Sequence, residues 1–431
     1  MSSKNKYSVV INAGGFGTRL SSAYKGLPKA LVPVFDKPII IDQINKFSDQ
    51  GFLQFIIILG HKADEIIDCL EKEYRDSRIE IKFLVEAEPL GSGGSILKFL
   101  HDLPSHFIFT YCDILFDLNI NNMVKFHENH SSDMTIFVHP NDHPYDSDLV
   151  SVDENKLVSA VKPHPHSYKG YTGNLVNAAF YVVNKDSLGS VNFMERAMDF
   201  AQDIIPNVLT NSKVYAYQTP EFLKDMGTPT RLSNVRSIYK NRFLSNGKNK
   251  VICLDRDGTL NRCLSGHYIK SVSDFELFEG IGEAVTILRN LGYFLVCVTN
   301  QPVIARGDID LSCLRKIHLE MDWLLGVEGA YLDGVYFCPH HTDSGFDGEV
   351  IDLKFDCECR KPKTGLLDQV MGYIPFDPAT SWFVGDSWRD INCGKVYGMQ
   401  TCSIGNEELG ADITVATLIE FAKKLSSGKF S

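Results

Sequence analysis

Two aspartates two positions apart, Asp255 and Asp257, lie in "DRDGTLNR" directly after the apolar run "VICL". Carboxylates so placed can serve one reaction as nucleophile and proton carrier, or they can form an acidic turn at a strand end. Three further segments follow in order: "VTN" (298–300), "CRKPKTG" (359–365) and "FVGDSWRD" (383–390). They add Thr299, Asn300, Arg360, Lys361, Asp386 and Asp390, a hydroxyl, an amide, two cations and two more carboxylates.

A different chemistry is legible near the start. "NAGGFGTRL" (12–20) is a glycine-dense turn after a strand, able to bring backbone N–H groups against phosphate oxygens. It has the spacing of neither a Walker loop nor the dinucleotide fingerprint. "LPKALVP" follows, so Arg19 and Lys29 can add fixed positive charge to a held triphosphate. "EAEPLGSGGSI" (86–96), with Gly91, is a second Gly/Ser-rich loop opening a helix. Asp113 in "YCD" and Asp225 in "FLKDMGTP" are candidate Mg²⁺ ligands or turn formers.

A third group is suited to a soft metal. Cys338-x-His340 and Cys357-x-Cys359 provide four ligands from two short clamps, the set of a closed structural Zn²⁺ site. His341 is the neighbour the spacing does not select. Most of the other cysteines stand singly in apolar runs, where a thiol acts as a small hydrophobe.

These groups act only if regular elements hold them in place. Apolar β-rich runs alternate with helix-like segments up to about residue 235, and a second alternation starts at "KVICLDRDG". With 431 residues the chain exceeds one ordinary core, so two tandem α/β domains of Rossmann-like type are expected, 1–238 and 249–431, joined by a linker at 239–248. Hydrophobic residues make up 44% and charged residues 23%, the balance of a soluble globular protein, and no apolar stretch has membrane length. The N-terminus enters a strand without a signal-peptide segment, so a cytoplasmic location is expected. A net charge of -11 argues against general nucleic-acid binding. The expected partners are small anionic substrates, with neither nucleic acid nor membrane, and an oligomer is allowed.

"GGFGTRL" and "PKALVP" together resemble the sugar-1-phosphate nucleotidyltransferases, over about residues 7–235. The resemblance implies a GT-A-like domain in which Gly14, Gly15, Gly17, Thr18 and Arg19 hold the nucleotide phosphates and Lys29 stabilises the transition state. Asp113 and Asp225 would bind Mg²⁺, and a sugar 1-phosphate oxygen would attack the α-phosphate in line, expelling pyrophosphate. Glu88, Lys162 and Asn177 match positions that contact the sugar or its phosphate, and Gly91 belongs to the substrate loop. Where relatives often have Gly before the first metal aspartate, this chain has Cys112. His164 and His166 read as exposed loop residues.

"DRDGT", "VTN", "CRKPKTG" and "FVGDS", in that order, resemble the haloacid-dehalogenase-type phosphatases over about residues 249–410. The implied roles are Asp255 as nucleophile forming an aspartyl phosphate, and Asp257 as acid towards the leaving oxygen and then base towards water. Thr299 and Lys361 would hold phosphoryl oxygens. Asp255, the Asp257 carbonyl and Asp386 would hold Mg²⁺, with Asp390 outside the direct ligands. About 40 residues separate the first two motifs, too few for a cap domain, so a capless site is expected. The zinc clamps narrow the likeness to the D-glycero-D-manno-heptose 1,7-bisphosphate 7-phosphatases and the related histidinol-phosphate phosphatases. Arg360 would then bind a substrate phosphate, with Asn300 beside it. Pro302 and Val303 depart from the Ser-Gly that relatives usually carry, and the loop between the clamps is longer.

Removing a 7-phosphate leaves a heptose 1-phosphate, the substrate class of the first domain. The expectation is a bifunctional enzyme of nucleotide-activated heptose synthesis, with GTP as the nucleotide. The alternatives are a histidinol-phosphate phosphatase, another hexose 1-phosphate with UTP, CTP or dTTP, or one domain acting as an inactive binding module.

Overall fold

Strand Ser8–Ala13 (SVVINA) is buried along its whole length, as a strand covered on both faces must be. It pairs in parallel with Gln54–Leu59 on one side and His106–Tyr111 on the other, Ile11 opposite Ile57 and Thr110. The computed structural model describes residues 6–15, 17, 20, 24, 26–166, 173–194, 196–243, 249–263, 268–405 and 409–428. Among these, the chain forms two units, in the main residues up to Ser237 and from Ile238 onward.

In the first unit the sheet order is Val214–Tyr217, Met134–His139, Val176–Asn184, His106–Tyr111, Ser8–Ala13, Gln54–Leu59 and Glu80–Val85. Val176–Asn184 runs antiparallel to both its neighbours. Helix Ile39–Asp49 places Ile40, Ile44 and Phe47 on one face, at the spacing of a core-facing helix. Each such fully buried side chain contributes about 1.5–3 kcal/mol. On the same face, Gln43 donates to Tyr111 O at 2.9 Å and Ile114 O at 2.6 Å, tying the helix to the turn that carries Asp113.

The second unit has a six-stranded, wholly parallel sheet, ordered Gly334–Cys338, Tyr293–Asn300, Lys250–Leu254, Trp382–Gly385, Gln400–Ile404 and Ile413–Val415. In order along this unit the strands read 3-2-1-4-5-6, so the chain reverses direction across the sheet beside Lys250–Leu254. Such a switch point opens a crevice at the carboxyl ends of the strands. Between that strand and helix Ile281–Asn290 the described residues form only the short turn Val272–Asp274, with no inserted domain.

Helix Pro229–Phe243 covers the first five residues expected in the linker, because no glycine or proline interrupts the run before Gly247. Residues 244–248 lie outside the described residues. No helix among the described residues is long and apolar enough to cross a membrane.

Candidate active sites of the two units

In the first unit the glycine turn, the lysine and the aspartates meet at the carboxyl end of strand Ser8–Ala13. Gly14 N donates to Asn12 Oδ1 at 3.1 Å. Gly17 has φ +57°, and a Cβ there would stand 2.7 Å from Lys29 Cβ, so the turn can pass over Lys29 only as glycine. Thr18 and Arg19 lie outside the described residues.

The Lys29 ammonium pairs with Asp113. Burial lowers its pKa, but Asp113, Cys112 and Asp225 together hold it above the ordinary lysine value. Asp225 ends a strand, Phe222–Asp225, that runs antiparallel to Ile114–Asp117, and Met226 N donates to Asp113 O at 2.9 Å. This ladder brings together two aspartates 112 positions apart. Asp225 accepts from Gly227 N at 3.1 Å and from Arg231 Nη1 at 3.0 Å. Two carboxylates beside a glycine turn match the donor set Mg²⁺ takes when substrate oxygens and water complete its shell.

A cavity of about 190 Å³ opens here, lined among others by Gly14, Gly15, Lys29, Glu86, Gly91, Cys112 and Asp113. Glu88 is exposed and does not line it; Glu86 does. Glu86 directly follows strand Glu80–Val85 and bonds Ser95, whereas Glu88 has passed out into the loop. Burial raises the Glu86 pKa and the Ser95 hydroxyl partly lowers it. Burial pushes the Cys112 thiol up to about 12. Asn177 is committed elsewhere. Its Nδ2 donates to Tyr181 Oη at 2.8 Å, and its Oδ1 accepts from the N–H of Ala179, a non-glycine residue at φ +56°. Lys162 ends strand Val158–Lys162 and is not among the residues lining the cavity. His164 is exposed and bonds Asp148, and His166 Nε2 lies 2.8 Å from Ser147 O.

In the second unit the four motifs converge at the switch point. Lys361 Nζ lies 2.9 Å from Asp255 Oδ1, 2.5 Å from Asp390 Oδ1 and 2.7 Å from Val298 O. Burial lowers the Lys361 pKa, but Asp255 and Asp390 together raise it above the ordinary value. Asp390 also accepts from Ser387 N at 3.1 Å and Oγ at 2.6 Å, a capping box that starts helix Trp388–Tyr397. Asn300 holds the Lys361 main chain, and Thr299 Oγ1 accepts from Gln301 Nε2 at 2.9 Å.

Asp255, Asp386 and Asp390 each offer an oxygen within 4.8 Å of the others. Asp390 thus joins the cluster it was expected to border, because the capping box turns its side chain inward. Burial, then Asp390, push Asp255 to about 7 and Asp386 to about 6. Three crowded carboxylates beside one lysine are the hard-oxygen environment that a divalent cation relieves. Gly258, at φ +82°, is packed against Asp386, and a Cβ there would collide with its carboxylate. The Asp257 carboxylate stands apart from this cluster. It accepts from Arg256 at 2.8 and 3.1 Å, Gln301 at 2.9 Å and Asn261 at 3.1 Å. Burial raises its pKa, but Arg256, Gln301 and Asn261 together hold it below the ordinary carboxylate value. Arg256, Gln301 and Asn261 were not singled out by sequence reasoning, since their contacts become visible only once the chain turns after Leu254.

Cys338, His340, Cys357 and Cys359 close into a second cluster. Its described contacts are 3.5 Å (Cys338 to Cys357), 3.4 Å (Cys359 to Cys357), 3.2 Å (His340 to Cys359) and 3.6 Å (Cys338 to His340). Metal bonds of about 2.3 Å give a tetrahedron with edges of about 3.7 Å, close to these values and far longer than a disulfide. His341 instead meets Arg306 at 3.0 Å. Arg360 donates to His340 O at 3.1 Å, so the clamp also fixes a cation next to Lys361. An open cavity of about 1020 Å³, lined by Arg262, Cys263, Tyr268, Lys270, Arg306 and Phe346 among others, lies alongside, and Cys263 feels the charges of Asp257 and Asp386.

A nucleotide-transfer site on one α/β unit and a carboxylate phosphatase site on another define a bifunctional enzyme of phosphate chemistry. A family model described as nucleotidyl transferase matches residues 8–242, and a HAD-hydrolase-like model matches residues 358–413. The D-glycero-β-D-manno-heptose-1,7-bisphosphate 7-phosphatase of Pasteurella multocida is 44% identical over 146 residues, 34% of this chain and 76% of the relative. The same enzyme of Haemophilus ducreyi is 40% identical over 153 residues, 35% of this chain and 80% of the relative. A crystal structure of HddC from Yersinia pseudotuberculosis is 27% identical, with coverage of 54% of this chain and 100% of its own and a TM-score of 0.46. The chain belongs to the nucleotidyl transferase family and, in its second half, to the D-glycero-β-D-manno-heptose-1,7-bisphosphate 7-phosphatases.

Proposed function

We propose that the chain carries out two consecutive steps, removing the 7-phosphate of D-glycero-D-manno-heptose 1,7-bisphosphate and then joining the resulting heptose 1-phosphate to GMP from GTP. The observation that supports this reading is the pairing, in one chain, of a member of the 7-phosphatase family with a nucleotidyl transferase; the sugar 1-phosphate that the first reaction would leave is a fitting substrate for the second. The domains proposed for the two steps are 1–238 and 249–431.

In the phosphatase step Asp255 attacks phosphorus and becomes an aspartyl phosphate, the sugar oxygen leaving with a proton from Asp257. Asp257 then takes a proton from water, whose oxygen attacks the acyl phosphate and restores Asp255. Lys361 and Thr299 bind phosphoryl oxygens, and Arg360 holds the other phosphate of the substrate. Mg²⁺, held by Asp255, Asp386 and the Asp257 carbonyl, would neutralise charge on the phosphoryl group. Zn²⁺ in the Cys/His clamp would fix the loop that carries Arg360 and Lys361.

In the transfer step Lys29 neutralises the reacting phosphate, with Arg19 and the Gly14–Gly17 turn on the remaining oxygens. Asp113 and Asp225 are the proposed Mg²⁺ ligands. Glu86 supports GTP: a carboxylate accepts hydrogen bonds, and guanine offers neighbouring N–H donors on its pairing edge.

Phosphorus NMR with Mg²⁺, GTP and each anomer of the bisphosphate tests the whole scheme. Loss of the 7-phosphate followed by pyrophosphate and a GDP-sugar is expected. Phosphate release without pyrophosphate would refute GTP, and no change with either anomer would refute the heptose substrate.

A further inference from the structure

Arg256, which stands between the two aspartates of the first phosphatase motif in sequence, is completely buried. Nε and Nη2 grip the two oxygens of Asp257 at 3.1 and 2.8 Å, and Nη2 also reaches Gln301 Oε1 at 2.9 Å. Nη1 points the other way and meets His318 Nε2 at 3.2 Å. We propose that His318 is a positioning residue of the phosphatase reaction, holding the Asp257 carboxylate in place through Arg256. This rests on the phosphatase reading of the unit.

The geometry supplies the reason. Asp257 follows Arg256 directly, and neighbouring side chains on an extended backbone point to opposite faces. The two meet because the chain turns after Leu254, and nothing local fixes the guanidinium plane. His318 fixes it from outside. It stands on helix Leu311–Val327, anchored in the core through Leu314, Ile317, Met321 and Leu325, and its ring packs against Phe337. Burial and the Arg256 charge push the imidazole down to about 3, so the ring is neutral and Nε2 is free to accept. With Nη1 held by the helix and Nη2 by Gln301, the guanidinium presents a fixed fork to Asp257. Without the acceptor, a buried N–H loses its partner and the fork can tilt.

The test is a double-mutant cycle on the full-length enzyme, followed by phosphate release. His318→Phe keeps a ring but no acceptor, and kcat should fall about tenfold with KM unchanged, the cost of a small misplacement at a reacting group. His318→Gln keeps an acceptor and should recover most of the loss. In an Asp257→Asn background, His318→Phe should change nothing further. The same tenfold loss in that background, no loss in the wild-type background, or a change in KM alone overturns the proposal. If thermal melting shows that His318→Phe does not fold, His318→Leu, which also lacks the acceptor, replaces it in the cycle with the same expectation. Running the cycle with p-nitrophenyl phosphate as well separates the two readings, because turnover of the aryl ester without turnover of the heptose bisphosphate overturns the substrate and leaves the cycle readable.

Discussion

The side-chain amide of Asn300 clasps the main chain of Lys361: Nδ2 donates to Lys361 O at 3.0 Å, and Oδ1 accepts from Lys361 N at 3.0 Å. The clasp joins the end of strand Tyr293–Asn300 to a loop 61 residues away and sets the root of the side chain that reaches Asp255. Asn300 was expected beside the substrate; its amide is occupied in holding the lysine.

Asn300→Ala removes both bonds, each worth about 1 kcal/mol, and leaves a buried ammonium less well aimed. The expected result is a fall of about 10- to 100-fold in phosphatase kcat, with the melting temperature of the second unit lowered by only about 4–8 °C. Steady-state phosphate release and a melting curve check this; an unchanged kcat would remove the clasp from the mechanism.

Because Cys359, Arg360 and Lys361 are consecutive, the Cys/His clamp and the lysine that reaches Asp255 share one loop. Cys357→Ser with Cys359→Ser should abolish bound zinc and most phosphatase activity while leaving nucleotidyl transfer intact. Metal analysis alongside both assays decides the matter, and full phosphatase activity in a zinc-free variant would contradict the coupling.

Glu86 lines the transferase cavity and Glu88 does not. Glu86→Gln should lower kcat/KM for GTP by about 10- to 100-fold, the effect of losing a base-reading acceptor, and Glu88→Gln should change it less than threefold. Pyrophosphate release with each variant measures both, and the reverse ranking would take the base-reading role away from Glu86.

Gly258 is confined by its positive φ and by Asp386. Gly258→Ala should displace the Asp386 carboxylate and cost at least about tenfold in phosphatase rate, with 1–3 kcal/mol of backbone strain. A crystal structure with an unmoved Asp386 and normal turnover would show that the turn yields instead.

His127, buried in the first unit with Nδ1 2.9 Å from Thr135 Oγ1, is pushed down to about 4 by burial and by the positive charges of His106 and Lys6. The folded-state pKa lies below the unfolded value of 6.5, so the unfolded chain binds the proton first. Its contribution is therefore complete above pH 6.5 and is lost as pH falls towards 4, at about 1.4 kcal/mol per unit and about 3 kcal/mol in all. Calorimetry at about pH 7.5 and pH 5 should show the first unit's transition drop, and His127→Gln should lose most of that drop. An equal drop in the variant would assign it to other groups.

Much of this was readable before any coordinates. The paired aspartates, the glycine turn with its lysine and the two metal clamps are local patterns, and local patterns survive in a linear string. Alternating apolar runs were enough for two α/β units, since parallel strands buried on both faces must be continuously hydrophobic. The family likenesses followed from the same motifs.

What the string alone could not decide was which side chains become neighbours. Glu86 rather than Glu88 faces the cavity because the strand ends at Val85. Asn177 is spent on the backbone at Ala179, and Asp390 is drawn into the metal-capable cluster by its capping box. Arg256, Gln301 and His318 form one network only after helix Leu311–Val327 brings His318, 62 residues downstream, against Arg256. Residue types and short spacings are written in the chain. Contacts over tens of residues depend on strand order, register and helix packing, and these are settled only when the whole core closes.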